Sequence, residues 1–168
     1  RVLFRSSLEK VELEPFAQTI SHGVQIIMTA HVIYSAWDDQ LPATFSPFIL
    51  KNILREKLGF GGLIITDDLE MKAVEKHIPF ESIPSLGSIA GVDLYLICHD
   101  RKKTLSLQGQ MIEDIKKGRI DKKQVEYSAQ KIINFKKKIA FSSHGKESLS
   151  DLVSKNVELI REMKSYLP

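Results

Sequence analysis

The chain of 168 residues has a single cysteine, Cys98, so no disulfide can form within it and the small secreted folds stapled by such bridges are excluded. A lone thiol suits a reducing compartment, and a cytoplasmic location is expected. Cys98 itself falls in a strand-like run and is expected in the core. Long apolar runs are also missing: none approaches the length of a membrane-spanning helix, and no signal peptide precedes the first helix. The chain opens on Arg1 and not on methionine, and it reads as the back part of something longer.

Motifs with their own chemistry are equally scarce. His22, His31, His77, His99 and His144 form no His-x3-His or Cys-x2-Cys pair, so local spacing implies no metal site. Gly59-Phe60-Gly61-Gly62 precedes a strand instead of bridging strand to helix, which makes it a turn and not a phosphate cradle. No Gly-x-Ser-x-Gly elbow is present, and no cofactor is implied. Neither sign of charge dominates, with a net charge of +3 and a pI near 8.9. Lys136-Lys137-Lys138 has no aromatic interleaving and reads as a solvated helix face, so nucleic acid is not an expected partner.

What is present is an ordinary globular composition, 43% hydrophobic and 27% charged, enough to bury a core. Three apolar runs, Val24 to His31, Leu63 to Asp68 and Asp93 to His99, alternate with helical patterns. Being apolar on both faces and well separated, they predict parallel strands joined by crossover helices, an α/β fold. A first helix is expected from about Leu8 to Ile20, with a kink at Pro15. The next has Ser46 as N-cap, Pro47 at its first position, an apolar stripe of Ile49, Leu50, Ile53, Leu54 and Leu58, and Gly59 as a left-handed exit. A short helix closes at Ala90-Gly91. Helices then follow over about Lys103 to Lys117, Lys122 to Ile139 and Leu149 to Ser165. For the middle one, Asp121 and Gln124 suggest a capping box, and Val125, Ala129, Ile132, Ile133 and Phe135 its stripe. The stretch 142–145 is a short connection. One domain is the economical account, with 1–140 as its main part and 141–168 as the connection and terminal helix.

The most informative stretch is Leu63-Ile64-Ile65-Thr66-Asp67-Asp68-Leu69-Glu70-Met71, an apolar run that ends on adjacent carboxylates. A carboxylate at the carboxyl end of a parallel strand is where α/β enzymes keep catalytic groups. The same Asp-x-x-Glu spacing also describes a helix N-cap with a reciprocal acid, so catalysis and capping both stand on spacing alone. Side chains alternate along a strand, placing Leu63, Ile65 and Asp67 on one face and Ile64, Thr66 and Asp68 on the other. Asp68 is the residue expected to anchor the turn, by capping a helix that begins at Leu69. The first strand ends at His31, either a hydrogen-bonded structural group or a pocket residue.

Taken in order, Met28-Thr29-Ala30-His31-Val32-Ile33-Tyr34, Pro42-Ala43-Thr44, Leu54-Arg55-Glu56-Lys57-Leu58-Gly59-Phe60-Gly61-Gly62 and Thr66-Asp67-Asp68-Leu69-Glu70-Met71 resemble family 3 glycoside hydrolases, specifically the bacterial β-N-acetylhexosaminidase branch. Ala90-Gly91-Val92-Asp93 looks like that family's lead into its last barrel strand, and Gly118-Arg119-Ile120-Asp121 like its late turn and closing helix. The resemblance spans about Leu8 to Ile139. It implies the C-terminal portion of a (β/α)8 TIM-type barrel followed by additional helices, acting on a carbohydrate substrate, an N-acetylglucosaminide of the kind met in cell-wall muropeptide recycling. It also implies that Asp67 is the nucleophile of a retaining exo-glycosidase, with His31, Asp68 and Met71 as pocket-lining candidates.

The departures matter as well. This branch carries its acid/base histidine in a Lys-His-Phe-Pro-Gly-His-Gly type loop, and no such segment occurs in these residues, so no acid/base residue is assigned. With three strand units of a fold that needs about 250 residues, the chain alone is expected to be inactive and poorly soluble. Competing expectations are a family 3 β-glucosidase-like enzyme and, from another class, a non-catalytic α/β interaction domain. The Asp67-Asp68-Leu69-Glu70-Met71 form favours the hexosaminidase branch. Oligomeric state is not legible.

Overall fold

Apolar runs without helical spacing become strands here. The computed structural model describes Arg5 and residues 8–142. Strands β1 (Ile26–Met28), β2 (Leu63–Asp68) and β3 (Leu94–Leu96) form one parallel sheet in that spatial order, the α/β arrangement expected from the sequence. The outer two are shorter than the apolar runs containing them. Beyond Met28 one more ladder bond forms, Thr29 N–H to Ile65 O at 2.9 Å, before the chain leaves the sheet.

Helix α1 (Glu14–Ser21) does not continue from Leu8 through a kink. Leu8–Glu12 is a separate wide turn, and Pro15 sits in the first turn of α1, where its missing N–H costs no intrahelical bond. Helix α2 (Phe48–Lys57) is wound as a wide π-helix and follows Ser46-Pro47 as expected, the buried Ser46 hydroxyl accepting the Ile49 N–H at 3.3 Å. It ends at Gly59, where φ is +70°, a conformation that favours glycine. Leu50, Ile53 and Leu54 of its stripe are buried.

After β2 comes the single turn α3 (Lys72–Glu75), then α4 (Ile83–Ala90), which ends in left-handed Gly91 as expected. The helix expected at Leu69 therefore starts three residues late. Helices α5 (Arg101–Lys116) and α6 (Lys122–Ser142) follow β3. Asp121 caps α6 by accepting the Lys123 N–H at 2.9 Å. The expected α6 stripe is only partly covered: Ala129 and Ile133 are exposed. Residues 1–133 form one unit, and the remainder of α6 belongs to a second, 134–168, described only as helix over 134–142. The helix expected over 149–165 lies outside the described residues.

Two apolar clusters hold the first unit. Leu50, Leu54, Phe60, Ile64, Ala90 and Val92 pack α2 and α4 on one face of the sheet, while Phe45, Leu69, Val74, Ile78, Ile83 and Leu107 fill the space around the strand tops. Each fully buried side chain of this size contributes roughly 1.5–3 kcal/mol. Tyr95 touches both clusters, and α4 approaches it so closely that a Cβ on Gly87 would lie 2.6 Å from its ring. On the opposite sheet face, Met28 is 52% exposed. Cys98, expected in the core, is exposed because β3 ends at Leu96 and the chain has already turned over the rim.

Candidate active site

The carboxyl end of β2 is fastened to its neighbours by polar side chains. Buried Thr66 accepts the Leu96 N–H at 2.9 Å through its hydroxyl, beside an irregularity in the β2–β3 pairing. Asp67, the next residue, is half-buried and stands on the sheet face away from α2, as alternation with buried Ile64 and Thr66 requires. Among the described residues its carboxylate has one hydrogen bond, at Oδ1, which accepts the Asp68 N–H at 2.8 Å.

Asp68 does anchor the turn, though not as a helix cap. Its Oδ1 accepts N–H groups from Glu70 at 3.1 Å and from Cys98 at 3.3 Å, tying the end of β2 to the segment after β3. Its carbonyl accepts the Met71 N–H at 3.1 Å and a hydrogen bond from His31 Nε2 at 3.2 Å. Because a carbonyl can only accept, Nε2 is the donor in that bond. Nδ1 and the Thr44 hydroxyl share a hydrogen bond at 2.8 Å, and the Thr44 and Thr29 hydroxyls share another at 2.9 Å. His31 is thus the link from the top of β1 to the top of β2, stacked on Phe45 at 6.4 Å. Its Nε2 is engaged by the Asp68 carbonyl.

Met71 lies on the rim, 42% exposed, at the start of α3. Glu70 Oε2 accepts the His99 N–H at 2.6 Å and the Asp100 N–H at 3.3 Å. Desolvation, and then the carboxylates of Asp68, Glu70 and Asp67, push the Cys98 thiol above its ordinary value. A groove of about 530 Å³ lies between α3 and α5, lined by Leu69, Val74, Ile78 and Lys103 among others, but Asp67 is not part of its lining.

A second polar centre occupies the other end of the sheet. The buried carboxylate of Asp93 receives Arg55 at 2.9 Å, Lys131 at 2.6 Å, the Ser128 hydroxyl at 2.7 Å and the Ile64 N–H at 2.9 Å. Arg55 also donates to the Phe60 carbonyl at 2.8 Å and stacks over that ring at 5.2 Å. Burial holds the Lys131 ammonium below its usual value despite Asp93. Sequence reasoning saw Asp93 only as the start of the third strand run and as part of a resemblance. Nor did it foresee that Glu70 and His99 meet, since partners some thirty residues apart leave no local spacing to read.

Comparison with known proteins matches this architecture. The profile described as "Glycosyl hydrolase family 3 N terminal domain" covers residues 4–135. A β-hexosaminidase of Haemophilus influenzae is 42% identical over 106 residues, 62% of this chain and 29% of that protein. The family 3 β-N-acetylglucosaminidase of Paenibacillus sp. superposes with a TM-score of 0.81 at 30% identity, covering 88% of this chain and 28% of that one. The β-N-acetylglucosaminidase of Thermotoga maritima gives 0.77 at 30% identity, covering 92% and 33%. The chain therefore spans less than a third of the H. influenzae relative's length. A profile match over most of the chain, on a parallel sheet with the expected motifs at its strand tops, makes this chain a member of glycoside hydrolase family 3, and its βα units part of that family's TIM-type barrel.

Proposed function

We propose that, within a polypeptide of its relatives' length, this chain supplies the nucleophile of a retaining β-N-acetylhexosaminidase, and that the nucleophile is Asp67. The observation that carries this is the placement of Asp67: the end of a central parallel strand, half-buried, with one backbone N–H bond and an oxygen left over. In such a reaction the carboxylate attacks the anomeric carbon as the glycosidic bond breaks, and the leaving oxygen takes a proton from an acid. Water then attacks the glycosyl-Asp ester, surrenders a proton to the conjugate base and frees the carboxylate.

Asp68 and His31 contribute by fixing the peptide that bears Asp67, through the Asp68 carbonyl and carboxylate. We assign no proton donor among the described residues, and we infer that the chain alone is inactive. The natural substrate we infer is a terminal β-N-acetylglucosamine residue, because a curated relative is named β-hexosaminidase and a solved one β-N-acetylglucosaminidase; the resemblance to the bacterial branch and the single cysteine suggest muropeptide recycling in the cytoplasm as its setting.

The test is a slow-turnover N-acetylglucosaminide that leaves its sugar on the nucleophile. Mass spectrometry of the full-length enzyme is expected to find the adduct on the peptide bearing Asp67 and to lose it in Asp67→Asn. A sugar on Asp68, or none with normal turnover, overturns the assignment. Hydrolysis of an aryl N-acetyl-β-glucosaminide by the 168 residues alone would refute the inactivity.

A further inference from the structure

We propose that Asp68, Glu70 and His99 form a binding site for a divalent cation of the zinc class on the rim of the sheet. One ligand atom from each lies within 4.8 Å of the others. The site uses carboxylate oxygens that the turn leaves over.

Each acid is held by the backbone through one oxygen only. Asp68 Oδ1 takes the Glu70 and Cys98 N–H groups, and Glu70 Oε2 takes those of His99 and Asp100. The second oxygens are what remain for a ligand: Asp68 Oδ2 stands 3.8 Å from His99 Nε2, and Glu70 Oε1 3.8 Å from Lys103 Nζ. Ligand atoms bound to tetrahedral zinc at about 2.0–2.1 Å lie roughly 3.3 Å apart, so the Asp68–His99 pair needs to close by only about half an ångström. The His99 side chain is 81% exposed and free to turn, while its backbone is pinned by Glu70.

Lys103 is the competitor for Glu70. Its nearer partner is Glu75 at 3.1 Å, so the ammonium can remain on Glu75 when a cation enters. The donor set selects the metal. Two carboxylates with an imidazole, next to the Cys98 thiol, suit zinc, whereas magnesium and calcium prefer oxygen alone. Asp93, by contrast, is saturated by Arg55 and Lys131 and offers a cation nothing. Local spacing excluded a metal because it can register only ligands close in sequence, and these come from two strand tops.

The test is calorimetric titration of the chelator-treated chain with zinc chloride, with magnesium chloride in parallel. One zinc per chain is expected, with Kd on the order of 1 μM, and no uptake of magnesium. His99→Ala, at an exposed position, is expected to leave the circular dichroism unchanged and weaken zinc about tenfold or more. His77→Ala, also exposed, is expected to leave the affinity as it was. Equal affinity in His99→Ala, or no uptake at about 1 mM zinc by a folded chain, overturns the site. The same variants in a full-length enzyme give the same readout, so poor solubility of the shorter chain cannot shelter it.

Discussion

Two aspartates sit at opposite ends of one three-stranded sheet, and their surroundings could hardly differ more. Asp93, before β3, is buried and shared among two cations, a hydroxyl and a backbone N–H, every bond within 2.9 Å. Asp67, at the end of β2, is half-buried with a single backbone donor. A carboxylate whose lone pairs are all spent can only hold structure together. One with an oxygen to spare can be a nucleophile. On the proposed assignment of Asp67, cohesion lies at the amino ends of the strands and reactivity at the carboxyl ends, the division of labour typical of parallel barrels.

The largest expected effect is at Asp67. Asp67→Asn in a full-length enzyme is expected to lower kcat/KM on the order of 10⁴-fold while leaving the denaturation midpoint in place. If stability fell instead, the two aspartates would be alike and the contrast would be gone. Asp93→Ala tests the other pole: it strands Arg55 and Lys131 without their anion and is expected to cost about 3–5 kcal/mol of unfolding free energy in a urea titration. A loss under 1 kcal/mol would show that the cluster is solvated and not a pin.

His31→Ala sharpens the comparison from the reactive end. Removing the link to Thr44 and the Asp68 carbonyl is expected to cost about 1–3 kcal/mol of stability. It should also slow turnover far less than Asp67→Asn does. The smallest effect is a pH dependence at Lys131, whose ammonium burial holds below its ordinary value. In the window between that lowered value and the ordinary lysine range, the unfolded chain binds more protons, so this residue's contribution to stability rises with pH. Comparing urea midpoints of the parent and Lys131→Met across that window is expected to show the parent gaining. A constant difference would mean that the ammonium is well solvated.

Much of the fold was legible because its signals are local. Ser46, Pro47 and Gly59 frame α2, Gly91 ends α4, and the apolar run 63–68 is a strand. The failures share a cause. Cys98 looked buried because an apolar run does not mark where the chain turns off the sheet, and α3 starts late because Asp68 bonds across to Cys98 instead of capping. Pro15 looked like a kink because a wide turn and a new helix carry the same residues as one bent helix.

By itself, then, the sequence determined the alternation of strands and helices, the family and the carboxylate pair at the end of β2, since turn chemistry, hydrophobic period and motif order are properties of neighbours along the chain. Only the tertiary structure decided that Asp93 is held by Arg55 and Lys131, that His31 supports Asp68, and that His99 meets Glu70. Those pairs are separated by about thirty to forty positions. Parallel packing of β1, β2 and β3 brings His31 to Asp68 and His99 to Glu70 at a common end of the sheet, while Arg55 on α2 and Lys131 on α6 reach Asp93 from helices.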